Sequence, residues 1–166
     1  GVGAVNWGVR GDNAVRRFPL VHRFLGRNYP AVALRMALDL LASNASPQRP
    51  QDGTGIIVDG RIVPTDAAGR LWLNYEGPWK SFRYVSYYDV LQGRLPPGFF
   101  ADKIVMIGSS APGLSDLAAT PFQQGYPRVE VHATLLHNLL TGRFLERAHS
   151  AVRTGCVLGL ALICGV

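Results

Sequence analysis

The sequence predicts an α/β domain: a mixed β-sheet flanked by helices, followed by the beginning of a transmembrane helix. Three observations carry this expectation. Strand-period and helix-period segments alternate along the chain, as layered α/β architectures require. The run Ile104–Ile107 is wholly apolar, the pattern of a central strand covered on both faces. The tail Thr154–Val166 contains no charged residue. With 166 residues, 48% of them hydrophobic, the chain is long enough for one domain with a real core and short for two. A mean hydropathy of +0.11 is high for a soluble domain, and the tail contributes to it.

The elements follow in order. Ala4–Val9 and Ala14–Val21 are β-prone runs around the turn signal Arg10-Gly11-Asp12-Asn13. Tyr29-Pro30 introduces a helix in which Ala33, Met36, Ala37, Leu40 and Leu41 form one apolar stripe. Arg35 and Asp39 form an i,i+4 pair on its other side. Ser43–Gly55 is a polar loop. Ile56-Ile57-Val58 and Arg61-Ile62-Val63 flank Asp59-Gly60, the turn pair of a two-residue hairpin. Leu71, Leu73 and Tyr75 alternate with Trp72 and Asn74, which predicts another strand. Ser86 and Asp89 read as a capping-box variant opening a short helix that stops at Gly93. Pro96-Pro97-Gly98 is a loop, Ile104–Ile107 the central strand, and Val131–Phe144 the last helix of the globular part.

The only boundary worth drawing falls near Ala148, between a globular part, 1–148, and a membrane segment, 149–166. A spanning helix needs roughly 20 apolar residues. The tail is shorter, so it is expected to be a transmembrane helix cut off by the end of the sequence; a buried C-terminal helix is the alternative. The opening residues Gly1-Val2-Gly3 include no initiator Met and no basic region, so no signal peptide is read. Both ends read as the ends of a fragment.

A net charge of +6 and a pI near 9.8 raise the question of nucleic acid. The cations are scattered rather than gathered on one face, and Arg16 and Arg17 point to opposite sides of a strand, so nucleic acid is excluded as a partner. Arg143, Arg147 and Arg153, just before the apolar tail, suit anionic lipid headgroups better. Cys156 and Cys164 would lie about 12 Å apart along a helix, beyond disulfide reach. No zinc set and no cofactor motif is present.

The chemistry-bearing residues gather in Lys103–Leu140. The loop Gly108-Ser109-Ser110-Ala111-Pro112-Gly113 follows the expected central strand, where α/β folds bind ligands, and its backbone could form an anion nest. It lacks the ending of a phosphate loop and the spacing of a dinucleotide fingerprint. Ser109 or Ser110, Asp116 and His132 stand in the order of an α/β-hydrolase triad, but without a nucleophile elbow. His132 shares its helical stripe with Leu135, Leu136, Leu139 and Leu140, so it is expected to face the core. There it needs polar partners, Asp116 or a carbonyl of the Ser109–Thr120 loop, and such a pair could also sense protons. His137 lies on another face, which argues against a metal.

The ordered motifs resemble the type-2 CHASE domain. The matching residues are Arg16-Arg17-Phe18-Pro19-Leu20, Val63-Pro64-Thr65-Asp66 with Gly69, Leu71–Pro78 and Ser86–Gly93, then Lys103–Pro121 and Val129–Leu140. The likeness runs from about Val5 to Leu145. Pro127-Arg128 stands where the family has Pro-Gly, and the family's opening part is absent, so the sheet is expected to lack strands. The resemblance implies a sensory input domain on the extracytoplasmic side of the inner membrane, with residues 1–148 outside and no enzymatic activity of its own. It further implies a transmembrane receptor, homodimeric, whose cytoplasmic output is a nucleotide cyclase or a kinase. The stimulus would be a small molecule or a physicochemical signal, sensed at Ser109, Ser110, Asp116, Thr120 and His132 without a metal or cofactor. The rival readings are a serine hydrolase fragment and a non-sensing dimerisation or spacer module.

Overall fold

The computed structural model describes residues 3–5, 13–41, 47–48, 55–110, 116–146, 148 and 150–165. The expected turn at Arg10–Asp12 and most of the Ser43–Gly55 loop lie outside them, as do Ala111–Gly113, Arg147 and His149. Along the described chain run β1 (Arg17–Pro19), β2 (Val21–Phe24), β3 (Arg27–Pro30), α1 (Val32–Leu40), β4 (Ile56–Val58), β5 (Arg61–Val63) and β6 (Arg70–Trp72). They are followed by α2 (Tyr87–Leu91), β7 (Leu117–Ala118), β8 (Tyr126–Pro127), α3 (Arg128–Thr141) and α4 (Ser150–Cys164). Helices and strands interleave, as the α/β expectation requires. The strands, however, form four separate antiparallel pairs: β1 with β6, β2 with β3, β4 with β5 and β7 with β8. Among the described residues, parallel pairing is confined to the isolated bridges Ala4–Ala31 and Ala14–Ala119.

The hairpin β4–β5 forms where the Asp59-Gly60 pair places it. Asp59 at φ 50 and Gly60 at φ 74 supply the two left-handed residues of a type I′ turn. Ile56, Val58 and Val63 consequently face the core. The alternation from Leu71 to Tyr75 also holds in burial, with Leu71 and Leu73 inside, although the ladder itself is only β6. Phe18 lies opposite Leu71 in the β1–β6 register, and both are fully buried. Asp66 closes this pair at its edge. Its carboxylate accepts from Arg17 Nη1 at 3.0 Å, Arg70 Nε at 2.8 Å and the Arg70 backbone at 3.0 Å. Burial raises the Asp66 pKa, but these hydrogen bonds outweigh it and hold the carboxyl below its usual range.

The expected strand Ala14–Val21 is broken at Leu20, and β2 turns back on β3 through Leu25 and Gly26, both at positive φ. That hairpin is absent from the sequence reading because Leu-Gly is not a recognised turn pair. In α1 the buried stripe is Ala33, Leu34, Ala37 and Leu38, one position round from the expected one, while Leu40 and Leu41 are exposed. The packing of α1 on α3 sets the phase. The Arg35–Asp39 pair forms as expected, with Arg35 Nε donating to Asp39 at 3.2 Å. Ser86 occupies the N-cap of α2, but its side chain makes no capping bond.

The last helix of the globular part starts at Arg128, three residues before the expected Val131, and ends at Gly142 in the left-handed conformation. Gly142 N–H caps the Asn138 carbonyl at 2.9 Å. Val131, Leu135, Leu136 and Leu139 pack with Phe18, Leu20, Leu34 and Leu71 in one core.

One expectation is corrected. Ile104–Ile107 is not a buried central strand: it has no regular structure, and Ile104, Val105 and Ile107 are 46%, 48% and 81% exposed. A central strand needs a neighbour on each edge, and none of the described strands offers one. At the other end of the chain, the expected membrane segment is the helix α4 of 15 residues; among the described residues no helix is long and apolar enough to cross a membrane.

Candidate functional site

The site is built where the β7–β8 hairpin hands the chain to α3. Thr120 closes the loop between the two strands: its N–H donates to the Gln123 carbonyl at 2.9 Å, and its hydroxyl bonds the Gln123 backbone. The hairpin register then sets Asp116 beside Arg128. Arg128 N–H donates to the Asp116 carbonyl at 3.0 Å, and the guanidinium Nε stands 3.9 Å from the carboxylate, with both side chains more than two-fifths exposed. One helical turn further on, His132 points inward, as its leucine stripe predicts, and is buried.

These three side chains meet at a cleft of about 530 Å³. Val32 and Met36 of α1 form one wall, Val105–Gly108 a second, and Val129 with Val5 the remainder. Gly108 is required by contact: a Cβ there would lie 2.4 Å from Val129 Cβ, so only glycine lets the segment pass so close to α3. The cleft is therefore mainly apolar, with Asp116, Arg128 and His132 as its polar lining.

The electrostatics of His132 are dominated by burial, which lowers its pKa from the ordinary 6.5. A hydrogen bond to the Val5 backbone and the Asp116 charge oppose the shift, while Arg128 and His22 reinforce it. His132 packs edge-on against Phe18 at 5.1 Å, and His22 sits across the same ring at 6.5 Å. Burial lowers the His22 pKa too. At neutral pH both imidazoles are neutral.

The structure thus brings Asp116 and His132 to one cleft. Asp116 stands 3.9 Å from Arg128, and its charge also acts on His132. Ser109 and Ser110 follow the cleft wall at Gly108, half-buried, and neither lines the cleft. Thr120 lies in the hairpin loop, outside it. Among the described residues, no three His, Cys, Asp or Glu side chains could hold a metal ion.

Sequence reasoning missed three residues. Arg128 stands in the sequence only as a departure from the Pro-Gly of the family pattern. Glu130, buried in the first turn of α3, accepts from Lys80 N at 3.2 Å, Ser81 N at 3.0 Å and Tyr84 Oη at 2.7 Å. Burial, then that bond to Glu130, drives the Tyr84 pKa upward. An acid beside apolar Val129 and Val131 was the available signal. At the other end of α3, the fully buried Asn138 uses its amide like a strand partner. It accepts from Asn74 N and donates to Asn74 O, both at 2.9 Å. Two residues on, Glu76 takes Arg143 at 2.9 Å and His137 at 3.3 Å. The segment Asn74–Glu76 therefore staples the end of α3 to the chain that leads into α4.

The CHASE2 domain family model matches residues 1–166, the whole chain. No curated protein and no solved structure matches it. The chain belongs to the CHASE2 domain family, a family of extracellular sensory domains of signalling receptors that are not themselves catalytic.

Proposed function

We propose that this CHASE2 domain is the extracytoplasmic input module of a bacterial transmembrane receptor, with residues 1–148 outside the inner membrane and α4 at the start of a membrane-spanning helix. The cleft at the start of α3 receives the signal, a small molecule or a change in conditions. Asp116, Arg128 and His132 read it, and Ser109 and Ser110 extend the wall beyond Gly108. A change in how the segment Val105–Gly108 and the Asp116 hairpin sit against α3 then travels down α3 to the Glu76–Arg143 staple and into α4. The output is a cytoplasmic nucleotide cyclase or kinase, and the receptor works as a homodimer.

One observation carries this reading: a cleft of about 530 Å³ lined by Arg128 and His132 from the first turns of the helix stapled at its other end to Arg143. The membrane placement is supported by α4 itself. Val157, Leu158, Leu160, Leu162 and Ile163 are each 60% exposed or more, and Arg153 is the one charged residue of the helix. At about 1.5 Å per residue such a helix covers most of a hydrocarbon core of about 30 Å.

The test uses the full receptor in membranes. Asp116→Asn and Arg128→Gln are expected to change basal or stimulated output at least severalfold while the melting temperature stays within a few degrees of wild type. Wild-type output in both variants would remove the cleft from signalling. Labelling by a serine-reactive fluorophosphonate that is lost in Ser109→Ala or Ser110→Ala would replace the sensor with a hydrolase.

A further inference from the structure

Residues 79–100 cross the surface without placing a single side chain in the core. The helix α2 within them buries nothing, and Trp79, Tyr84, Tyr87, Tyr88, Leu91 and Phe100 are 37%, 36%, 62%, 57%, 65% and 36% exposed. Cations lie over three of the rings: Lys80 on Trp79 at 5.2 Å, Arg83 on Phe99 at 4.6 Å and Arg94 on Tyr88 at 5.0 Å. Between Trp79 and Lys103 four cations face two carboxylates, and one of these, Asp89, is paired with Arg94 at 3.2 Å. Aromatic and basic side chains thus share this exposed segment.

The segment is not loose. Glu130 holds its start through the Lys80 and Ser81 amides and the Tyr84 hydroxyl, on the first turn of α3. Phe82 meets His137, near the last turn of the same helix, at 6.1 Å. Residues 80–84 therefore sit against α3, with Phe82 near the end from which Gly142 and Arg143 lead toward α4. Glu76, which holds Arg143, is three residues before Trp79.

We propose that this aromatic and basic segment is a second membrane contact, lying on anionic lipid headgroups beside the point where the chain enters the bilayer. The inference rests on the membrane placement of α4. Tyrosine and tryptophan rings, apolar in body and polar at the tip, favour the level of the headgroups. Lysine and arginine beside them add attraction to lipid phosphates. A second copy of the chain suits the patch less, because a symmetric contact would set these cations against one another.

The test is co-sedimentation of the full chain with vesicles of phosphatidylcholine alone and of phosphatidylcholine containing about one-third phosphatidylglycerol, at low and high salt. The expected result is binding to both, with a large increment from phosphatidylglycerol that disappears at high salt. Each cation near an anionic surface contributes about fivefold in affinity, so Lys80→Glu with Arg83→Glu should cut the increment at least tenfold without changing binding to phosphatidylcholine. Tyr87→Ser with Tyr88→Ser should lower binding at both salt concentrations. An increment that is missing, or undiminished by the charge reversals, overturns the contact and leaves the α4 reading standing. Binding to neither vesicle overturns both. Concentration-dependent self-association that the charge reversals strengthen would assign the patch to a second copy instead.

Discussion

Ile56–Val58 and Ile104–Ile107 are close to the same peptide in composition, yet they meet opposite fates. The first is a strand with Ile56 and Val58 4% and 6% exposed; the second has no regular structure, and its Ile107 is 81% exposed. Hydrophobicity does not separate them. What separates them is a partner for the backbone. The Asp59-Gly60 turn brings Arg61–Val63 back alongside Ile56–Val58, so the N–H and C=O groups are paired before the side chains go inside. Among the described residues, Ile104–Gly108 makes no such bond. Burying that run alone would strand several backbone polar groups at about 1–3 kcal/mol each, more than its side chains recover. Apolar residues are buried where the chain can also satisfy its amides.

The largest test of this contrast is a pair of truncations. Leu135→Ala, at a fully buried site in the shared core, should cost about 2–5 kcal/mol in urea unfolding. Ile107→Ala should stay within about 0.5 kcal/mol. Equal losses would mean that the bare run is packed after all.

A smaller effect is expected from the turn that rescues β4. No atom lies within 4 Å of a Cβ added at Gly60, so Gly60→Val meets no clash, only the cost of a left-handed φ of 74. That cost is about 1–2 kcal/mol. Amide exchange should accelerate first at Val58 and Arg61, the hydrogen-bonded pair flanking the turn. Unchanged exchange there would break the argument that the local turn decides burial.

The smallest effect concerns the cleft where the bare run meets α3. Burial lowers the pKa of His132 and of His22 below 6.5 in the folded state. Between the folded and unfolded values the unfolded chain binds more protons, so stability rises with pH across that window. It should be fully present above about pH 6.5 and fall progressively as the pH drops below it. Melting temperatures from pH 8 to pH 5 measure this, and His132→Phe should flatten the curve. A stability that increases on acidification would reverse the sign and refute the burial argument.

Much of the α/β pattern was legible in the sequence because its signals are local. Asp59-Gly60 needs only its own two residues to turn the chain. The stripe through His132, Leu135, Leu136 and Leu139 needs only the helical period, and the Arg35–Asp39 pair only a spacing of four. The candidate site was half legible. Asp116 and His132 stood out as an acid and a histidine near a loop after an apolar run, but their meeting with Arg128 depends on a hairpin register set by weak two-residue strands. Glu130 and Asn138 look like surface residues in a sequence, since nothing nearby announces that the amides of Lys80 and Asn74 will come to meet them.

The sequence by itself therefore determined the Asp59-Gly60 turn, the approximate spans of α1, α2 and α3 and the side of α3 that faces inward, because these follow from backbone preferences and periodicity within a few residues. Only the tertiary structure decided which apolar runs are covered, which stripe of α1 is buried and which charges share a cleft. Those outcomes depend on contacts between residues far apart in the chain. The cost of an unpaired amide or an unmatched charge is set by what arrives beside it.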